Sequence, residues 1–204
     1  MAVFLFCLSA VAADTPKQCS MCVGSVSDLS APPAETIPLL VETTADDFAT
    51  TSSKIDALSS EQRKQTTVVI RYSADRIDDV ESKTSAIVEW AKLHGPFDAI
   101  ALVVDHADPA VASYAVKRLA VMAQGQNVAS KIAIGRVPLD DVKKLYEHGA
   151  NAYFDALVVD APNVTETAAW LMANDPAKKI YAVVAPQSPN ALFDLAQALA
   201  QGAT

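Results

Sequence analysis

The feature that most constrains the fold is a repeated alternation of short buried strands and helices, which is clearest in residues 143–187. Residues 154–159 form an apolar run that is too short for a helix, a pattern typical of a strand buried on both faces. Residues 179–185 repeat this pattern, and residues 165–173 between them have the length and composition of a helix. Two buried strands joined by a helix form a βαβ unit, so the sequence predicts a parallel sheet.

The same alternation begins near residue 37 and predicts six strands, at residues 37–41, 67–70, 99–104, 131–134, 154–159 and 179–185. Polar or charged groups follow the strands, whereas the strand interiors are apolar. Because parallel strands expose their carboxyl ends at one edge, we expect these groups to share a rim. They are Glu42, Arg71, Tyr72, Asp105, His106, Arg136, Asp160 and Gln187.

Residues that typically start and stop helices support the predicted alternation of strands and helices. Asp108 and Ser188 each precede a proline, which is the arrangement of an N-cap followed by proline at the first helical position. Gly125 and Gly202 stand where helix stops are expected.

Six βα units allow either a partial (β/α)8 barrel of the TIM type or an open doubly wound sheet. An open sheet usually binds its ligand through a glycine-rich first turn, but the turn at residues 42–47 reads ETTADD, and the whole chain has 6 glycines. This disfavours dinucleotide and P-loop binding, and we expect no cofactor. We predict the barrel, incomplete at its C-terminus, with further units beyond Thr204.

The N-terminal segment predicts export. Residues 1–13 (MAVFLFCLSAVAA) form an apolar run that ends in small residues, which is typical of a secretory signal and too short to span a bilayer. A first buried strand is the alternative. Residues 14–35 then form a leader and residues 36–204 the barrel-like domain, so we expect a secreted or periplasmic protein.

The leader contains Cys19 and Cys22. In an exported protein, two cysteines this close form a local disulfide or stay in an unstructured leader, and a redox or metal role is the alternative. Haem attachment needs a histidine after the second cysteine, where Val23 stands, and no further zinc ligands follow nearby. We therefore expect a disulfide and no metal site.

Composition disfavours other partners. The net charge is -8, and the basic residues are scattered, so nucleic-acid binding is not expected. No internal stretch of the sequence is long and apolar enough to cross a membrane.

Residues 145–160 (LYEHGANAYFDALVVD) resemble a segment of the retaining β-glycosidases of clan A, notably the β-xylosidase-like barrels. Residues 79–105 are similar to the helix and strand that deliver the acid/base glutamate in that clan, and residues 128–135 are similar to the strand that follows. The resemblance covers about half of the chain, residues 79–187. It implies a (β/α)8 barrel and a carbohydrate ligand.

The sequence departs from the clan at the catalytic positions. The acid/base strand of the clan ends in Asn-Glu-Pro, whereas residues 104–109 read VDHADP. The nucleophile strand should end in glutamate, and here Ala185, Pro186 and Gln187 end it. Asp160 stands where the resembling strand usually ends in histidine. Retaining hydrolysis needs two carboxyl groups about 5 Å apart, so the resemblance implies a barrel that has lost this chemistry.

The strand-end carboxylates Glu42, Asp105 and Asp160 are the candidates for a relocated acid/base pair. Alternatively, these carboxylates cap helices or pair with Arg71 and Arg136. The candidate ligand-binding residues are Arg71, Tyr72, His106, Arg136 and Gln187, with Tyr72 expected to offer a ring for stacking on a sugar.

Three functional hypotheses follow. The first is an exported, non-catalytic barrel domain that binds carbohydrate or acts as a scaffold. The second is an active glycoside hydrolase that uses the relocated carboxylates. The third is a periplasmic α/β domain with a redox role for Cys19 and Cys22.

Overall fold

The structure is a computed structural model, and it describes residues 39–104, 108–183 and 200. The strands are β1 (Leu39–Thr44), β2 (Thr66–Tyr72), β3 (Phe97–Val104), β4 (Ala129–Gly135), β5 (Ala156–Asp160) and β6 (Lys179–Val183). The helices are α1 (Ala49–Asp56), α2 (Ser60–Arg63), α3 (Ile77–His94), α4 (Pro109–Gln126), α5 (Leu139–Glu147) and α6 (Val164–Asn174). The predicted signal peptide, the leader with Cys19 and Cys22, and the predicted caps Ser188 and Gly202 lie outside the described residues.

The six strands form one sheet in the order β1-β2-β3-β4-β5-β6, and every neighbouring pair is parallel. An open doubly wound sheet reverses its strand order at a switch point, and the described sheet has no such reversal. Each strand is instead followed by its helical connection and then by the adjacent strand. The fold is therefore a partial (β/α) barrel, as the sequence predicts.

The strands are buried on both sides, which explains their nearly continuous apolar composition. In β2, Val68, Val69 and Ile70 are all at most 1% exposed. Ile70 belongs to an outer core between the sheet and the helices, and Val69 belongs to an inner core on the other face of the sheet. Two-sided burial of this kind is the reason that parallel strands lack the alternation of half-exposed ones.

The inner core shows that the sheet curls. Every strand contributes to this single cluster, which consists of Leu40, Val69, Ala101, Val103, Ala133, Ala156, Val158 and Tyr181. These residues are at most 4% exposed, although the helices pack on the other face of the sheet. The sheet therefore curls so that its own side chains cover the inner face, as in a barrel.

Helix α4 follows the predicted punctuation at its start but not at its end. The Ala110 amide donates a hydrogen bond of 2.8 Å to the carboxylate of Asp108, and Pro109 is the first helical residue. The predicted stop at Gly125 is wrong, because the helix continues to Gln126 and is ended by Asn127, whose φ of 54° is left-handed. Asparagine tolerates this conformation better than most residues, so it replaces glycine as the stop signal.

Two helices that the sequence reading did not identify, α1 and α2, lie between β1 and β2. Helix α2 is four residues long and begins with a capping box, in which Ser59 and Gln62 exchange side-chain to backbone hydrogen bonds of 3.2 Å and 2.9 Å.

Among the helices of the described ranges, none combines the length and the apolar character that a membrane crossing requires.

Candidate functional site

Three of the predicted strand-end residues meet at the carboxyl edge of the sheet. Glu42 lies on β1, Asp160 ends β5, and Arg136 directly follows β4. The Arg136 Nε donates a hydrogen bond of 3.0 Å to Asp160 Oδ1, and its Nη1 donates one to Glu42 Oε1. We call these three residues the rim cluster.

The rim cluster depends on the curl of the sheet. Strands β1 and β4 are separated by β2 and β3, so their ends would not meet in a flat sheet. The concave inner face turns these ends toward each other, so that Arg136 at the end of β4 contacts Glu42 on β1. The sequence predicts the shared edge, and the curl turns that edge into direct contacts.

Backbone conformation also positions Arg136. Its φ is 45°, a left-handed conformation that is uncommon for a residue with a side chain, and its amide donates a 2.7 Å hydrogen bond to the carbonyl of Val158 on β5. Left-handed non-glycine residues cost free energy and concentrate at functional sites. This turn aims the Arg136 side chain along the rim toward both carboxylates.

Gly135 makes room for this turn, a role that the sequence reading missed. A Cβ atom at Gly135 would lie 2.8 Å from Val103 Cγ2 and 3.3 Å from Val69 Cγ1, on the two strands that precede β4 in the sheet. The site therefore requires glycine for close packing inside the curl. A glycine at the end of an otherwise apolar strand was the available signal, because such a glycine often marks a close approach of backbone and side chains.

The electrostatics of the rim cluster favour the charged form of Arg136. Partial burial alone would lower the pKa of the Arg136 guanidinium, but the charges and hydrogen bonds of Asp160 and Glu42 outweigh burial and raise that pKa above its ordinary value. Arg136 therefore stays cationic at all physiological pH values. One cation between two carboxylates gives the cluster a net charge of about -1 when both acids are ionised.

The rim cluster is accessible and retains unused hydrogen-bonding capacity. The side chains of Arg136, Glu42 and Asp160 are 27%, 32% and 41% exposed. Within the described ranges, Arg136 Nη2, Glu42 Oε2 and Asp160 Oδ2 take part in no hydrogen bond. The cluster can therefore offer two donors, flanked by two acceptors, to a bound molecule.

Two other predicted site residues, Arg71 and Tyr72, lie in the part of the chain that the structure describes. Arg71 is the next-to-last residue of β2, at the same edge, and is exposed. Tyr72 is 1% exposed and belongs to the outer core, so its ring cannot stack on a ligand at the rim. Neighbouring residues of a strand face opposite sides, and this alternation separates Tyr72 from Arg71. Asp105, His106 and Gln187 lie outside the described residues.

Burial governs the chemistry of Tyr72. Its removal from solvent disfavours the phenolate and raises the pKa of Tyr72 to about 12. The hydroxyl therefore stays protonated at neutral pH, as expected for a packing residue.

A cavity of about 300 Å³ lies on the helical side of the sheet, between α4 and α5. Its wall combines apolar side chains with Asp141 and Lys144, which form an ion pair of 2.8 Å. The lining residues are Val104, Pro109, Ala112, Ile134, Val137, Asp141, Lys144 and Leu145. In the part of the chain that the structure covers, no group of three or more His, Cys, Asp or Glu side chains is placed to hold a metal ion.

Comparison with solved structures finds a fold similarity at low sequence identity. No protein-family model matches the chain, and no curated protein matches it. A solved structure, the catalytic domain of a family GH18 chitinase from the fern Peteris ryukyuensis, aligns with a TM-score of 0.48 and 10% sequence identity. The alignment covers 84% of this chain and 92% of that one. A similarity at this level assigns neither an activity nor a ligand to the chain, and the more specific resemblance to clan A glycosidases stays a prediction.

Proposed function

We propose that this chain is an exported, non-catalytic (β/α) barrel domain that binds carbohydrate at the carboxyl edge of its sheet. The observation that carries the proposal is the rim cluster, in which Arg136 joins Glu42 and Asp160 while all three side chains remain partly exposed. Barrels of this type place their ligands at this edge, because the strand ends and the following loops converge there.

The hydrogen-bonding groups of the rim cluster suit a sugar. Sugar hydroxyls both donate and accept, so they need donors and acceptors that lie close together. The unused Nη2 hydrogens of Arg136 lie beside carboxylate oxygens of Glu42 and Asp160, which supplies both kinds of group. Fixed polar groups of this kind orient a ligand in a binding site.

The same contacts argue against hydrolysis by Glu42 and Asp160. A glycosidase places the scissile bond between its two carboxyl groups, which are about 5 Å apart in retaining enzymes and roughly 6.5–9.5 Å apart in inverting ones. Here the Arg136 guanidinium links the two carboxyl groups. The sequence also lacks the glutamates of clan A at the expected strand ends. Both observations support binding without turnover.

The export part of the proposal rests on residues 1–13. Their apolar run and terminal small residues are typical of a secretory signal. The runner-up function is a hydrolase with relocated carboxylates. It rests on the presence of Glu42 and Asp160 at the same edge, and the guanidinium that links them counts against it.

The test measures binding and turnover in the same protein. Wild-type chain, Arg136→Met and Lys131→Met are titrated against a panel of neutral and charged oligosaccharides and assayed with aryl glycosides. Lys131→Met is the matched control, because Lys131 lies on β4 with a similar exposure of 30% but pairs with Asp98, near the start of β3. We expect binding by the wild type and the control, at least roughly tenfold weaker binding by Arg136→Met, and no turnover.

Two results would decide against the proposal. Failure of the folded wild type to bind any glycan of the panel would remove the binding function. Turnover of aryl glycosides by the wild type that disappears in Glu42→Gln or Asp160→Asn would favour the hydrolase, because an amide cannot act as nucleophile or general base.

A further inference from the structure

We infer that the ligand of the rim cluster is an uncharged sugar that presents two hydroxyls on neighbouring carbon atoms. This inference rests on the proposed function and specifies the chemical class of ligand. It follows from the charges and the donor geometry of Glu42, Arg136 and Asp160.

The rim cluster disfavours sugars of either charge for different reasons. An anionic sugar, such as a uronate, would approach Arg136 only by coming close to the carboxylates on both sides of it, and like charges a few ångströms apart at a protein surface repel strongly. An amino sugar carries an ammonium group in place of a hydroxyl, and an ammonium cannot accept the hydrogen bond that Arg136 donates. A neutral sugar avoids both penalties.

The geometry of the guanidinium specifies how the hydroxyls bind. Arginine has five N–H donors in a rigid plane, and one of the two hydrogens on Nη2 lies on the side of Nε and the other on the side of Nη1. In the rim cluster Nε is bound to Asp160 and Nη1 to Glu42. Within the described ranges both hydrogens of Nη2 are unused; one lies beside the N–H that Asp160 accepts, and the other lies beside Nη1, which is bound to Glu42.

Two neighbouring hydroxyls complement this array. Each hydroxyl oxygen accepts one hydrogen bond from Nη2, and each hydroxyl hydrogen is donated to the adjacent carboxylate, one to Asp160 and one to Glu42. A pair of hydroxyls on adjacent carbons can satisfy both hydrogens of Nη2 together, whereas an isolated hydroxyl satisfies one. Partial exposure of all three side chains leaves room for this approach.

The net charge of the whole chain also disfavours the binding of anionic sugars. With a net charge of -8, the protein repels negatively charged ligands at long range and slows their association. This long-range effect is screened by salt, whereas the contact selectivity of the rim cluster is screened much less.

The experiment compares hexamers that share one linkage and differ at one carbon of each unit, by a carboxylate in place of the C6 hydroxymethyl group or by an ammonium in place of the C2 hydroxyl. Isothermal titration calorimetry is run at 0.15 M salt with β-1,4-linked hexamers of glucose, glucuronate and glucosamine, and with the corresponding galactose, galacturonate and galactosamine hexamers. We expect the neutral member of at least one series to bind at least roughly tenfold more tightly than both charged members. Cleavage of its vicinal diols with periodate, followed by borohydride reduction, keeps the hexamer neutral and should abolish binding.

Charge variants of the rim cluster should shift the preference in opposite directions. Arg136→Met leaves two carboxylates and should bind the amino hexamer more tightly than the neutral one. The double variant Glu42→Gln/Asp160→Asn leaves one cation and should prefer the uronate hexamer. Lys131→Met, which changes an equal charge at the other end of β4, should keep the wild-type order. Circular dichroism establishes that each variant is folded.

The outcomes separate the two proposals. Equal or tighter binding of a charged hexamer by the wild type, or full binding after periodate cleavage, overturns this inference and leaves carbohydrate binding intact. Binding of none of the six hexamers overturns the proposed function together with the inference. An unchanged order of preference in the folded charge variants shows that the sugar binds away from the rim cluster and also overturns the inference.

Discussion

Gly135 and Arg136 are the residues on which the rim depends most directly. Arg136 adopts a left-handed backbone conformation, and Gly135 packs so closely that an added Cβ would lie 2.8 Å from Val103 Cγ2. The first feature directs the guanidinium, and the second keeps the end of β4 close to β3. Neither residue can be exchanged freely, although their chemical types are ordinary for a strand end.

We predict that Gly135→Ala destabilises the protein by about 1–3 kcal/mol and weakens glycan binding, because the added methyl group displaces the end of β4. Val103→Ala removes the contacting methyl groups, so the double variant should recover part of the binding, with a favourable coupling of about 0.5–3 kcal/mol in a double-mutant cycle. Urea denaturation and calorimetric titration measure both effects.

Gly125→Ala is the matched control for this prediction. Gly125 lies within α4, is exposed, and has open space where a Cβ would stand. Alanine there should stabilise the protein by about 0.5–1 kcal/mol. If both glycine variants were equally stable, close packing at Gly135 would be refuted.

At the scale of single residues, the sequence predicts which residues lie at the same edge of the sheet better than it predicts which of them pair. The shared edge of Glu42, Arg136 and Asp160 follows from their places at the ends of parallel strands. The pairing of Arg136 with both acids was one of two alternatives that the sequence left open. Period-two alternation separates Arg71 from Tyr72, and applying it to β2 would have placed Tyr72 in the outer core.

Of the two longest described helices, α4 begins with a side-chain cap and α3 does not. Asp108 accepts a hydrogen bond from the Ala110 amide, and Pro109 occupies the first position, where its missing N–H is not needed. The helix joins β3 to β4, which is the strand that carries the rim arginine. Its stability therefore affects the connection on which the site is built.

We predict that Asp108→Ala lowers the free energy of unfolding by about 0.5–2 kcal/mol, since the amide of Ala110 loses its side-chain acceptor. Chemical denaturation of the variant measures the loss. Glu89→Ala is the control, because Glu89 is exposed in the middle of α3 and caps no helix end. A loss of equal size in the control would show that the measured effect is one of charge and not of capping.

At the scale of elements, the sequence did not predict the exact end of α4 or the short helices α1 and α2. Gly125 and Asn127 are both plausible stops, and the choice depends on which residue adopts the left-handed conformation in the folded chain. Helices α1 and α2 have 8 and 4 residues, too few to display a helical period. The long helices α3 and α4, in contrast, carry clear apolar stripes.

For the whole molecule, the apolar repeat predicts parallel strands directly, whereas the barrel was predicted only because the first turn lacks the glycines that are typical of an open sheet. Buried apolar runs joined by helices require parallel pairing, but both a barrel and a doubly wound sheet satisfy that requirement. The order of strands is decided by long-range packing, here by an inner core that draws residues from all six strands together.

We predict that amide hydrogen exchange is slower in β3 than in β6. Strand β3 is paired on both sides, whereas β6 pairs within the described sheet with β5 alone. A free edge opens at lower cost than a central strand. Mass spectrometry of deuterated peptides covering residues 97–104 and 179–183 makes the comparison. Equal protection of the two would show that a further segment covers the outer edge of β6.

The volumes of the inward-facing side chains affect how strongly the sheet curls, and the curl sets the spacing of the residues at the rim. The concave face is lined by small residues in the middle of the sheet, Ala101, Ala133 and Ala156, and by larger ones at its flanks, Leu40 and Tyr181. Enlarging a residue in the middle would open the curvature and move Glu42 away from Arg136 without altering any charge at the rim. The proposed sugar site can therefore be adjusted for ligands of different width by substitutions among the buried residues of the inner core, with the polar groups at the rim left in place.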